Sequence, residues 1–352
     1  MIGLTATRWT HIVTAAMLSA LLVGACSGSA TPAPTAAPSN AAPSVAAPSA
    51  AAPSAAAPSV AAKTVGIVDI SATNITAHSF VTEAQKAFAA KNWKVLQSDS
   101  NGDQNQANTL CTQYVSRKVD VIVVNIYTFD AMAACLAAAK GANIPVFLLG
   151  SNVGGGAAGA IPTVLPGPMN DRFLSDVSAM GGDVQVFALT FKPGAPCLVR
   201  EQDLDKKLPT YPKLKVTKYE VSVPGQVTIA QNAANAWLQA HPASKGEKLA
   251  IWACWSDPAI GALSAVKQQA RTNIPIWTWD FTKQTVDPIK AGEIAATLWV
   301  DPSAMAQQLL SLIDGYFQDP TGWQPKELEA GSKIIDKSTI DAFVAANPNA
   351  AQ

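Results

Sequence analysis

The side chains in this sequence best suited to chemistry are those of recognition. Ser71, Asn125, Ser151, Asn152, Trp255, Ser256, Trp279 and Asp280 each follow an apolar run, as do Arg200 and Glu201, and Trp299 closes another. Amides and carboxylates in such places can satisfy paired hydroxyls, while an indole face covers the C–H face of a polyhydroxylated ring. Bond-breaking machinery is not visible. No G-x-S-x-G, H-E-x-x-H or C-x-x-C occurs, and past the leader His78 and His241 stand singly. Both histidines are expected to be structural or exposed. Scattered Asp and Glu lack the helical spacing of a paired acid and base. The expectation is a chain with no catalytic residue, cofactor or metal; fold alone does not exclude an enzyme.

Those side chains need elements to carry them, and Val119 to Gly150 supplies the pattern. Val121-Ile122-Val123-Val124 suits a strand buried on both faces. Ala131 to Lys140 predicts a helix capped by Asp130, Gly141 ends it, and Ile144 to Leu149 begins a second apolar run. Strand, helix and strand with short joints make a βαβ unit, hence a parallel sheet with a right-handed crossover. A second copy follows downstream. Leu249 to Cys254 is an apolar strand, and Asp257 to Lys267 (DPAIGALSAVK) matches Asp130 to Lys140 (DAMAACLAAAK) in length. Both helices lead into Asn-Ile-Pro, at Asn143 and Asn273, and another strand. Two similar α/β lobes are expected. In open parallel sheets ligands bind outside the carboxyl ends of the strands, where the recognition side chains lie.

Taken in order, the chain begins with a segment outside the fold. Residues 1–25 carry Arg8 and an apolar run from Ile12, too short for a comfortable membrane span, and predict a signal peptide. Leu22-Val23-Gly24-Ala25-Cys26 resembles the bacterial lipobox, which makes Cys26 the expected lipidation site. Residues 26–62 are alanine, proline and serine with AAPS recurring at Ala36, Ala41 and Ala46. Such a stretch cannot bury a core, and fully extended it would span on the order of 100 Å, a tether between membrane and body. The remainder is long enough for two domains. Twenty-five basic residues balance twenty-five acidic ones, so no basic field for nucleic acid exists.

In the first lobe, strands are expected at Val65–Ile70 and Lys94–Leu96, with helices at Phe80–Ala90 and Gln106–Arg117. Residues 152–170 form a Gly/Pro-rich loop whose Gly154-Gly155-Gly156 is no phosphate loop, lacking the following Gly-Lys-Ser/Thr. Phe173–Val177 and Cys197–Val199 suggest strands, and Gly181–Phe191 a helix between them. Further strands are expected at Val216–Val221, Leu249–Cys254, Ile274–Trp279 and Ile294–Val300. Asp301-Pro302 should cap and open a helix through Phe317. Trp252, Trp277 and Trp237 fall inside elements and are expected in the core. Cys111 and Cys135 lie on successive helices that the crossover rule puts on one sheet face, so they are predicted to pair. Cys197 at a strand start and Cys254 at a strand end would be too far apart to bridge, and are expected as buried thiols, a second bond being the alternative that four cysteines leave open.

The order of these features resembles the ribose-type periplasmic sugar-binding proteins, the solute receptors of ABC importers, over about Val65 to Phe343. The marks are Val124-Asn125 with Asp130, Ala142-Asn143-Ile144-Pro145-Val146, Gly261-Ala262-Leu263, Trp279-Asp280, and Ala295-Ala296-Thr297-Leu298. The resemblance implies two parallel-sheet lobes joined by three hinge crossings: 64–176 with 301–330, and 177–300 with 331–346. Asp280 and Asn125 match family binding positions, Phe80 stands where the family has a pocket aromatic, and Tyr127 is a further candidate. The chain also departs from the family. Gly150-Ser151 replaces an Asp-Arg pair, Trp255 stands where the family often has a polar residue, and Arg200 is near the family's second-lobe arginine without aligning to it. A more aromatic and less ionic pocket than a ribose site is expected.

The expected ligand-binding set is therefore Ser71, Phe80, Asn125, Tyr127, Ser151, Trp255, Trp279, Asp280 and Trp299. The expected role is an extracytoplasmic, membrane-anchored monomeric lipoprotein that captures a sugar-like solute for an ABC permease. A ligand-sensing receptor for a chemoreceptor or sensor kinase, or a nucleoside-like ligand, are the alternatives.

Overall fold

The structure, a computed structural model, describes residues 61–163 and 166–350. The expected signal peptide, Cys26 and most of the tether lie outside the described residues.

The first sheet is built from β1 (Thr64–Asp69), β2 (Lys94–Asp99), β3 (Val121–Asn125), β4 (Val146–Leu149) and β5 (Gly159–Ile161), with helices α1 (Ile75–Ala90), α2 (Gln104–Ser116) and α3 (Ala133–Gly141) between the first four strands. Helix α4 (Pro166–Ala179) leads to the second sheet: β6 (Val184–Thr190), β7 (Leu214–Glu220), β8 (Lys248–Ala253), β9 (Ile276–Trp279) and β10 (Ile294–Val300). Between them run α5 (Ala195–Lys207), α6 (Gln226–Ala240), α7 (Ser256–Gln268) and α8 (Lys283–Ala291). Helix α9 (Pro302–Gln318), β11 (Lys326–Glu327), β12 (Ser332–Asp336) and α10 (Ile340–Ala346) complete the chain.

Spatial strand orders are β11-β5-β4-β3-β1-β2 and β12-β10-β9-β8-β6-β7, one winding repeated. The two βαβ units recognised in the sequence occupy equivalent places, and the chain passes between sheets three times, after β5, β10 and β11. Every ladder is parallel except β10 with β12, an antiparallel edge strand. All five residues of β3 are buried, and four of them are the β-branched run Val121–Val124. Each such side chain removed from water contributes about 1.5–3 kcal/mol.

Caps follow the sequence at several termini. The Asn74 carboxamide oxygen accepts the Ala77 N–H at 3.1 Å to start α1. Asp301 accepts the N–H groups of Ser303 and Ala304 ahead of Pro302, as expected. Asp130 does not cap α3: a turn over residues 129–132 intervenes, and the Thr128 hydroxyl takes the Ala131 N–H at 3.0 Å.

Three expected elements between 173 and 199 are corrected. Phe173–Val177 lies within α4, Val184–Thr190 is strand β6, and Cys197–Val199 belongs to α5. The apolar residues of 173–177 and 197–199 are the buried faces of amphipathic helices, which short windows do not distinguish from strands. Gly194 at the cap and Pro196 in the first turn mark α5 as a helix start, a place where proline costs no hydrogen bond.

Cys111 and Cys135 form the expected disulfide, tying α2 to α3. Cys197 and Cys254, expected as thiols, are also bonded, with Cα atoms 5.1 Å apart. The correction follows from α5. As part of a helix that begins after β6, Cys197 stands at the carboxyl end of the sheet, where Cys254 also lies.

Candidate functional site

The carboxyl ends of both sets of parallel strands meet across a cleft. Gln226 Nε2 of the second lobe donates to the Thr73 carbonyl of the first at 3.0 Å and to Asp257 at 2.8 Å. Asp257 also accepts the Ile75 backbone N–H at the start of α1. The Thr76 and Ser256 hydroxyls approach to 3.4 Å, and the Ala195 N–H donates to the Ile126 carbonyl at 2.8 Å. A second-lobe carboxylate thus lies at the positive end of a first-lobe helix. Burial pushes the Asp257 carboxyl above its ordinary range, while hydrogen bonds from Gln226 and the Ile75 backbone act against the shift.

Two adjoining cavities open on this interface. The smaller, about 30 Å³, lies at the strand tips between Phe80, Ile126, Phe191, Trp255, Arg200 and Asp280. That is room for about two waters. The larger, about 490 Å³, runs outward past Asp280 and Phe80 to Trp299, Pro302 and the segment 346–350. It falls in the size range of small-molecule sites. Thr76, Phe80 and Asp280 line both.

Asp280 is the pivot. It follows β9 with φ +70°, a left-handed conformation that aspartate tolerates better than most residues. Its N–H donates to the Leu298 carbonyl at 2.8 Å. Arg200, buried in α5, brings a guanidinium nitrogen 3.7 Å from the Asp280 carboxylate. The same guanidinium donates to the carbonyls of Cys254 and Thr163, each at 2.7 Å, and lies over the Trp279 ring at 5.1 Å. Burial raises the Asp280 carboxyl above its usual range; Arg200 opposes that shift, and the charge of Asp257 adds to it. Burial likewise pulls Arg200 down, against the pull of Asp280.

The nine expected residues separate by depth. Phe80, Trp255, Asp280 and Trp299 line the cavities. Trp255 meets Phe191 with ring centroids 5.5 Å apart, and half-buried Trp299 packs edge-on against Phe343 at 5.0 Å. The other five stand behind the surface. Trp279 is wholly buried, edge-on to Trp252 at 5.3 Å, and supports Arg200. Asn125 donates to Asp69 at 3.0 Å and to the Ala77 carbonyl at 2.9 Å, bracing α1 from beneath. The Tyr127 hydroxyl pairs with Ser100 at 2.8 Å, and burial pushes its pKa up to about 12. Ser71 holds Thr73 at 2.9 Å, and Ser151 turns to the Asn152 carbonyl at 3.4 Å.

Arg200 stands outside the expected binding set because it does not align with the family's second-lobe arginine; from α5 it nevertheless reaches the strand-tip cavity. Phe191 and Ile126 carried no signal of type. Ile126 has φ +76°, rare for a β-branched side chain, and only backbone geometry reveals it. Among the described residues no cluster of His, Cys, Asp and Glu could hold a metal, and no helix is long and apolar enough to cross a membrane.

Comparison with known proteins agrees with this geometry. A family model described as a periplasmic binding protein domain matches residues 177–319. A D-apiose import binding protein of Actinobacillus succinogenes is 26% identical over 242 residues, 67% of this chain and 76% of its own length. A xylitol-binding protein of Mycolicibacterium smegmatis is 24% identical over 228 residues, 62% of this chain and 63% of its own length. Among solved structures, a galactofuranose binding protein superposes with TM-score 0.72 at 17% identity, covering 82% of this chain and 99% of that one. An ABC transporter solute binding protein from Agrobacterium vitis with bound allitol gives 0.70 at 21% identity, covering 81% and 99%. These matches bear out the resemblance read from the sequence, to the ribose-type periplasmic sugar-binding proteins.

Proposed function

We propose that this chain is the solute-binding component of an ABC importer, and that it captures a neutral sugar or polyol between its lobes. The observation that carries the reading is the cavity wall itself: the buried ion pair of Arg200 with Asp280, set among Phe80, Trp255 and Trp299. A charged acceptor, hydroxyl-sized polar groups and aromatic faces are what a polyhydroxylated ligand needs. The relatives are named for a pentose and a pentitol, which supports the same class.

In this reading the lobes open to admit a ring that the strand-tip cavity is too small to take, then close on contacts from both sides. The permease reads the closed form. Cys26 carries the lipid that anchors the protein outside the cytoplasm, and the Ala/Pro/Ser stretch is the tether. The protein works by binding and release, without turnover.

The test is calorimetric titration of residues 63–352 with sugars, polyols and nucleosides. A saturable hit is expected among the first two classes, weakened by both Asp280→Asn and Trp299→Ala. If the best hit binds both variants as it binds the parent, this cleft is not the site. A Cys26→Ser chain is expected in the soluble fraction of the producing cells; retention in the membrane fraction would rule out the lipid anchor.

A further inference from the structure

The Cys197–Cys254 bond joins the first turn of α5 to the residue after β8. Arg200 follows Cys197 by three residues, so the two share one face of the helix. The guanidinium of Arg200 then donates to the carbonyl of Cys254, the other end of the same bond, at 2.7 Å. From there it reaches the Thr163 carbonyl and stands 3.7 Å from Asp280. Cys197 itself lines the strand-tip cavity beside Arg200 and Asp280. The covalent bond and the ion pair form one continuous structure at the floor of the cleft.

We propose that the Cys197–Cys254 disulfide is a positioning device for ligand recognition: it holds the Arg200 guanidinium against Asp280 and so fixes the polar pattern the cleft presents. The inference rests on the reading of the cleft as a sugar or polyol site. An arginine side chain loses rotamer entropy when it is ordered, a loss that a fixed backbone and a fixed carbonyl acceptor reduce before any ligand arrives. Without the bond, the first turn of α5 and the end of β8 are joined through non-covalent contacts alone, and guanidinium and carboxylate no longer share a rigid base. Cys111–Cys135 is the internal control: it ties α2 to α3, and neither cysteine lines either cavity.

The experiment compares the parent with C197A/C254V and C111A/C135V, replacements that keep apolar volume. Xylitol and D-apiose serve as probes in calorimetric titration. The cleft variant is expected to lose affinity by about tenfold, the magnitude of ordering one long side chain. The control variant should bind within about twofold of the parent although its melting temperature falls, since a lost cross-link costs stability either way. Adding Arg200→Met to C197A/C254V should cost little further affinity, because the bond acts through that side chain. Unchanged affinity in C197A/C254V, or full additivity with Arg200→Met, overturns the proposal. If neither probe binds the parent, it is the polyol reading that fails. The positioning claim is then read from melting temperatures: the disulfide and Arg200→Met losses are expected to be less than additive, and additive losses overturn it. Should C197A/C254V not fold, C197S alone with Arg200→Met provides the same cycle.

Discussion

Gly150 and Asp280 occupy one position in two copies of the same lobe. Each directly follows the third strand in the spatial order of its sheet, β4 in one and β9 in the other. Both are left-handed, at φ +82° and +70°, and both donate the backbone N–H to a carbonyl near the end of the neighbouring parallel strand, Ile161 at 2.7 Å and Leu298 at 2.8 Å. One lobe fills the position with the residue that adopts this conformation without strain, the other with a carboxylate. The buried ion pair at the strand tips is therefore a property of the second lobe.

That relationship predicts an asymmetric response to substitution. A Cβ at Gly150 would lie 2.6 Å from Ile126 Cδ1, on a backbone that resists L side chains. Gly150→Ala is expected to lower stability by about 1–2 kcal/mol in urea unfolding. Ile126→Val removes the clashing methyl and should recover part of the loss, which a double-mutant cycle measures.

Breaking the buried pair has a larger effect. Arg200→Met leaves the Asp280 carboxylate and two carbonyls without a donor and is expected to cost about 3 kcal/mol or more. Asp280→Asn in the same chain removes the stranded charge. The double variant should be more stable than Arg200→Met alone, as followed by denaturant midpoint.

The lobes are held shut by groups other than the ligand. Gln226→Ala removes the donor to Thr73 and Asp257, a loss of about 1 kcal/mol per bond from the closed state. Most of that loss falls on closure rather than on the fold of either lobe. Without ligand, small-angle scattering should give a larger radius of gyration for the variant, with its melting temperature close to the parent's.

The carboxyl of Asp257 sets a direction for pH. Burial raises it in the folded protein above its unfolded value of about 3.9, so the folded state binds more protons between the two values. Its contribution therefore falls as pH rises through that window and is level above the folded pKa. Asp280 shifts the same way, so the comparison is with Asp257→Asn, which lacks only one of the two. Parent stability minus variant stability should decline from pH 4 upward in urea unfolding, then flatten.

How much of this was legible beforehand depended on range. The run Val121 to Val124 and the paired helices near Asp130 and Asp257 are local patterns carried by period, and the Asp301-Pro302 start of α9 is carried by its capping residue. From those the doubly repeated parallel sheet followed, and with it the end of the sheet that holds the site. Phe80, Trp255, Asp280 and Trp299 reach the cavities for that reason. The tertiary structure alone decided depth and pairing. Trp279 and Asn125 sit at strand ends like their neighbours, yet one lies under Arg200 and the other under α1. Likewise, Cys197 and Cys254 are 57 residues apart in the chain and 5.1 Å apart at Cα. Side-chain direction at a strand's last residue depends on a φ that the residue's type does not set, and a bond between distant segments depends on where the sheet returns them. Local preference selects elements; only their packing selects which atoms meet.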